Sequence, residues 1–119
     1  MVLLPGSGDT AESWVAVQDR LNRLKRVLTY DRSGMGGSDP APTADLSGVV
    51  EEFDAVLSAT GIATPVVLVS HSFGGLLARL YTATHPERVV GLVLLDATPP
   101  AIADDPGVRI GFLISTALA

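Results

Sequence analysis

Apolar residues along this chain keep two different rhythms. Short unbroken runs, at Val2-Leu3-Leu4, Val66-Val67-Leu68-Val69 and Val89 to Leu95, alternate with longer stretches in which apolar positions recur every three or four residues. The Val66 run is too brief for a helix and lacks polar alternation, which predicts a strand buried on both faces of a parallel sheet; Val2 to Leu4 reads as a short buried strand, and Val89 to Leu95 as a fourth strand, apolar throughout. Arg26 to Tyr30 reads as a further strand, second in chain order. Between the first two strands Trp14, Val17, Leu21 and Leu24 line one helical face, and Asp9 with Glu12 offers a capping box at its start. From a cap at Thr43, the residues Leu46, Val49, Val50, Phe53, Val56 and Leu57 form a second stripe, closed by Gly61. Glu51, Glu52 and Asp54 fall on its outer side and read as a solvated face rather than as paired catalytic carboxylates. A third helix starts after Gly74-Gly75 and runs to about His85-Pro86. Beyond Pro99-Pro100, Asp105 and Pro106 open a tail in which Val108, Ile110, Phe112, Leu113, Ile114 and Leu118 are too many for one stripe. Such a helix needs a partner on every side. Strand alternating with helix predicts an α/β domain: a mostly parallel sheet of about four strands with helices on both faces.

The sharpest break in pattern falls at Ser70-His71-Ser72-Phe73-Gly74-Gly75, where a strand turns at once into a helix. Such a junction leaves Ser72 at the apex of a bend. Positions two before and two after the apex then lie close together, and Ser70 and Gly74 are small enough for that; Gly75 lets the helix lie near the strand. A hydroxyl at a helix N-terminus sits where N–H groups and the dipole favour negative charge. Ser72 can therefore attack a carbonyl while the Phe73 N–H donates to the oxyanion that forms. The plain alternative is a strand-to-helix turn with Ser72 as an ordinary N-cap.

Composition narrows the chemistry. The 119 residues are 47% hydrophobic and 18% charged, enough for one folded domain with a real core. A net charge of −5 argues against a nucleic-acid or anionic-membrane surface, which needs clustered Lys and Arg. With no cysteine, disulfides, thiolate metal sites and cysteine nucleophiles are excluded. No apolar run is long enough to span a bilayer, and Met1 to Pro5 lacks the pattern of a signal peptide, so a cytoplasmic protein is expected.

The S-x-S-x-G turn resembles the G-x-S-x-G nucleophile elbow of the α/β-hydrolase family, with Ser70 replacing the first glycine. The loop Asp31-Arg32-Ser33-Gly34-Met35-Gly36-Gly37-Ser38 is similar to the family's D-R-x-G-x-G-x-S loop. The resemblance implies a strand order of second, first, third, fourth, which sets the Gly6-Ser7-Gly8 turn beside Ser72. It implies Ser72 as nucleophile and the backbone N–H groups of Phe73 and Ser7 as oxyanion donors, with Gly8 as the next candidate. It also allows Asp96, at the end of the fourth strand, as the triad acid. Pro5 stands where the family often has histidine. The activity implied is hydrolysis of a small-molecule ester, amide or thioester through an acyl-serine, with no metal or organic cofactor; serine at the apex argues against dehalogenase or epoxide-hydrolase chemistry. The base is missing: His71 precedes the apex, and His85 lies at the far end of the elbow helix. The resemblance covers only the front half to two-thirds of the family domain. Residues 1–119 are thus expected to be a partial core domain, with 101–119 either starting a cap or lid, as the resemblance implies, or forming a helix that completes this small core. Either the chain is a fragment of a longer hydrolase, the preferred reading, or it is a short product, inactive alone or completed by a partner. The apolar tail is expected to favour self-association.

Two other classes compete. Gly6-Ser7-Gly8-Asp9-Thr10-Ala11 fits G-x-G-x-x-G/A after a strand, and Asp31 stands where a ribose-binding acid belongs, as in a Rossmann-like dinucleotide domain. Against this, Asp9 would repel a pyrophosphate, and the Ser72 turn is left unexplained. A non-catalytic interaction module fits the missing base and the apolar tail.

Overall fold

Four strands, β1 (Val2–Leu4), β2 (Leu28–Thr29), β3 (Val66–His71) and β4 (Val89–Leu95), form one sheet in the order β2-β1-β3-β4. Every neighbouring pair is parallel. The computed structural model describes residues 1–41, 45–99 and 101 of the chain. Three α-helices accompany the sheet: α1 (Val15–Leu21), α2 (Leu46–Ala59) and α3 (Phe73–Thr84). The strand order is the one expected, so the chain reverses its direction of travel across the sheet between β1 and β3.

Strand periodicity sorts the core into two layers. Val2, Leu4, Val66 and Leu68 face α2 and α3 and pack with Phe53, Leu57, Leu76, Leu77 and Tyr81. Leu3 and Val69 point the other way, onto Trp14, with Leu21 and Val67 at the margin. Helices thus cover both faces, and β1 is fully buried.

The structure corrects several local expectations. The first helical segment begins as a 3-10 turn, Ala11–Trp14, before α1, and Thr10 rather than Asp9 occupies its N-cap, with no side-chain cap bond. The Ala11 N–H is instead held by Asp31 Oδ1 at 2.8 Å, a partner twenty residues away that no local pattern discloses. Val17 and Leu24 are exposed, at 40% and 77%, so the stripe inferred for this helix is buried only through Trp14 and partly through Leu21. The second strand is shorter than Arg26 to Tyr30. The expected cap Thr43 lies outside the described residues; Asp45 caps α2, its Oδ1 accepting from the Gly48 N–H at 2.7 Å. Glu52 and Asp54 are not free solvated charges. Glu52 Oε1 accepts from both the N–H and the hydroxyl of Ser33, each at 2.7 Å, and Asp54 Oδ1 accepts from Tyr81 OH at 2.8 Å. β4 forms where expected but as an edge: Val90, Leu92, Val93 and Leu95 remain exposed, because among the described residues only β3 pairs with it. Residues 102–119, and with them the expected cap segment and its self-association, lie outside the described residues. No described helix is long and apolar enough to cross a membrane.

Asp31 carries a pH prediction. Its carboxylate accepts from the N–H groups of Ala11 and, at 3.0 Å, Gly37, and these bonds hold its pKa below the ordinary value. A lowered folded-state pKa gives stability that is present above the unfolded value, about 4, and lost as pH falls through the folded one. Wild type is therefore expected to melt above Asp31→Asn at pH 7, with the gap closing as pH drops from about 4. Melting curves of both proteins between pH 7 and 3 check this; a gap constant with pH would sink it.

Candidate active site

Ser72 links β3 directly to α3 with φ 51 and ψ −118, a backbone region that a residue with a Cβ rarely adopts. The surroundings hold it there. Its N–H donates to Leu95 O at 3.2 Å, and its carbonyl accepts from the N–H groups of Gly75 at 2.9 Å and Thr98 at 3.0 Å. The bend is thereby bolted to the exit of β4. Ser72 itself is half-buried, whereas Phe73, the first residue of α3, is buried.

The two glycines after the bend are required, though the reason for Gly74 differs from the one inferred. A Cβ at Gly74 would run into the carbonyl oxygens of Leu4 and Pro5, at the end of β1, rather than into Ser70. Ser70 is fully buried, and its hydroxyl donates to Val93 O of β4 at 3.1 Å. Each small residue thus answers to a different neighbouring strand. A Cβ at Gly75 would strike Ala97.

The turn after β1 lies against the bend, as the strand order requires. The Asp9 N–H closes it on Gly6 O at 3.3 Å. A Cβ at Gly6 would stand 3.3 Å from Ser72 Cβ, 3.1 Å from His71 Nδ1 and 3.2 Å from Asp9 Oδ2, so only glycine sits easily between these groups. Ser7 and Gly8 are exposed at the rim. Beneath the turn lies Arg32, only 5% exposed. Its two terminal nitrogens donate to Pro5 O at 2.7 Å and Gly6 O at 2.6 Å, and its guanidinium carbon stands 5.0 Å over the Phe73 ring. Burial lowers the Arg32 pKa from its ordinary value, while Tyr30, Glu52 and Asp9 oppose that shift.

The remaining candidates are scattered. The His71 ring faces Asp9, with Nδ1 4.0 Å from Oδ2 and both side chains 47% exposed; a contact this open contributes little. His85 ends α3 and stacks on Tyr81 with centroids 4.5 Å apart. Among the described residues no hydrogen bond links either histidine to Ser72. Asp96 is exposed, with φ 45, between the two residues that bond to the Ser72 backbone, Leu95 and Thr98. Sequence reasoning named the loop that carries Arg32 but missed the residue, since a single buried cation has no periodicity to betray it. It missed Glu52 for a related reason: a carboxylate on a helix flank looks the same whether it faces water or a loop.

A parallel sheet whose third strand bends through a strained serine into a helix, beside the turn that leaves the adjacent strand, defines an α/β protein with a sharp strand-to-helix elbow. The chain belongs to the alpha/beta hydrolase fold family, whose model matches residues 1–114. Among its relatives, the mouse (lyso)-N-acylphosphatidylethanolamine lipase is 35% identical over 101 residues, which cover 81% of this chain and 29% of the lipase. The uncharacterized protein YqjL of Bacillus subtilis is 32% identical over 107 residues, 87% of this chain and 40% of that protein. A thermophilic esterase from Thermogutta terrifontis superposes with a TM-score of 0.80 at 25% identity, covering 92% of this chain and 40% of the esterase. The chain thus spans well under half the length of these relatives. The dinucleotide-binding reading falls with the family match, and its ribose-binding acid, Asp31, is already engaged by Ala11 and Gly37.

Proposed function

We propose that this chain is the nucleophile-bearing part of a serine hydrolase acting on an ester, amide or thioester bond. The observation that carries this is Ser72: a serine held at positive φ between β3 and α3, with the turn after β1 packed beside it. In this reading Ser72 Oγ attacks the substrate carbonyl carbon, and its proton passes to a base. The carbonyl oxygen takes up negative charge opposite the N–H groups of Phe73 and Ser7, with Gly8 as the alternative to Ser7. The tetrahedral adduct collapses, the leaving group departs with a proton, and water then releases the acid from the acyl-serine. The lipase and esterase relatives favour a carboxylic ester over an amide. A serine hydroxyl needs a base at neutral pH, and the base is proposed to come from sequence outside these 119 residues, since neither histidine here is bonded to Ser72. Asp96 is the candidate to orient that base, being placed next to the bend.

The test uses the other serines of the chain as internal controls. A fluorophosphonate is expected to modify Ser72 about a hundredfold faster than exposed serines such as Ser58, because donors positioned for an oxyanion retain substantial catalysis even without a triad. Ser72→Ala is expected to remove that fast phase. Peptide mapping by mass spectrometry reads both. Uniform slow labelling of all serines would overturn the reading.

A further inference from the structure

The buried guanidinium beneath the turn has a role that its neighbours define. Arg32 is 5% exposed, and among the described residues no carboxylate forms an ion pair with it. A buried charge is normally paired, because leaving water costs several kcal/mol. Here the fork of the side chain is given instead to two successive backbone carbonyls, Pro5 O and Gly6 O. A planar trans peptide points its N–H opposite to its C=O, and no cis bond occurs among the described residues. Fixing these two carbonyls therefore fixes two N–H directions, those of Gly6 and Ser7, on the side of the turn away from the guanidinium. The same cation lies over the ring of Phe73, whose own N–H is the other proposed donor. Gly6 O is also the acceptor for the Asp9 N–H, so the turn and the cation share one atom.

We infer that Arg32 is a positioning residue of the hydrolytic site: its bidentate grip on the Pro5 and Gly6 carbonyls aims the Ser7 N–H at the substrate oxyanion. This rests on the reading of Ser72 as nucleophile. Arg32 touches no substrate; it acts through the backbone. The turn contains two glycines, Gly6 and Gly8, the latter at φ 77, so without a clamp the peptide planes are free to rotate. Glu52 supports the device at one remove, tying the adjacent Ser33 to α2 through both its N–H and its hydroxyl.

The measurement is the rate of fluorophosphonate modification at Ser72 in the full chain, per folded molecule. Arg32→Met keeps the bulk and removes both donors and the charge; it is expected to slow Ser72 about a hundredfold, the usual cost of losing one oxyanion donor. Arg32→Lys keeps the charge and one donor, and is expected to recover part of that loss, to within about tenfold of wild type. Tyr81→Phe, which loses the bond to Asp54 on the α2–α3 side, is a stability control expected to melt earlier with the Ser72 rate unchanged. Wild-type rates in folded Arg32→Met would overturn the inference while leaving the nucleophile reading intact. Absence of Ser72 selectivity in wild type would instead remove the reading beneath it. Should Arg32→Met not fold, Arg32→Lys decides: a folded lysine variant at the wild-type rate overturns the proposal, and a several-fold slower one supports it. A Tyr81→Phe rate that falls as far as that of Arg32→Met would also overturn it, since general loosening would then explain both.

Discussion

Gly74→Ala is expected to unfold this chain or to lower its stability by about 3 kcal/mol or more, at the upper end of what overpacking costs. An added Cβ meets the Leu4 carbonyl oxygen in direct collision, with Pro5 O at 2.7 Å and the Leu4 carbonyl carbon at 2.9 Å. These are backbone atoms, and none can swing aside as a side-chain tip would. Leu4 is registered opposite Ser70 in the sheet, and the Pro5 carbonyl is gripped by Arg32. Relief requires α3 to move off β1, which opens the layer in which Leu4 packs with Leu76 and Leu77. Domains hold only about 5–15 kcal/mol in total, so a loss of this size is a large share. Gly8→Ala is the comparison, because a Cβ there meets nothing within 4 Å and bears only the cost of φ 77, about 1–2 kcal/mol. Urea midpoints of the two variants give the answer. If Gly74→Ala proves no less stable than Gly8→Ala, the close approach of α3 to the end of β1 is wrong.

That collision also marks where the sequence spoke clearly and where it did not. The strand runs at Val2, Val66 and Val89 and the glycine pair after Ser72 are local signals, and local signals survive folding: the strands and the bend stand where they were expected, while the strand order came from the family resemblance and not from any local pattern. What pattern could not supply was the partner of each polar group. Asp9 looked like a cap, but the N–H at that helix start is taken by Asp31 from across the fold. Glu52 and Asp54 looked solvated, yet each closes a hydrogen bond to another segment. Arg32 could not be distinguished from a surface arginine until the Pro5 and Gly6 carbonyls arrived above it. Such contacts join residues roughly twenty or more positions apart, and nothing in the spacing of either partner encodes the other. The apolar run of β4 did locate the strand, yet Val90, Leu92, Val93 and Leu95 stay exposed, because hydrophobic residues need cover that the described neighbours do not provide.

Phe53→Ala is expected to cost about 3–5 kcal/mol, the range for emptying a fully buried aromatic site. Phe53 has no exposed surface and joins three elements: its ring stacks on Tyr30 at 6.0 Å and meets Tyr81 edge-on at 4.6 Å. Tyr30 follows β2 directly, and Tyr81 belongs to α3, so the cavity would lie where α2, α3 and the end of β2 meet. Phe53→Leu fills most of that space and is expected to recover most of the loss, since swaps that nearly conserve volume cost less than about 1.5 kcal/mol. Denaturation midpoints of the two variants separate cavity formation from loss of ring geometry: equal losses would mean that the aromatic contacts, not the volume, carry the stability. The helix that carries Phe53 also carries Glu52, which anchors Ser33, the residue that follows Arg32. A cavity at position 53 should therefore reach the site only by loosening α2. Below its melting transition Phe53→Ala is expected to keep a Ser72 modification rate close to wild type, whereas Arg32→Met loses rate while still folded. The core residue acts through the amount of folded protein, and the buried cation acts on the geometry of each folded molecule.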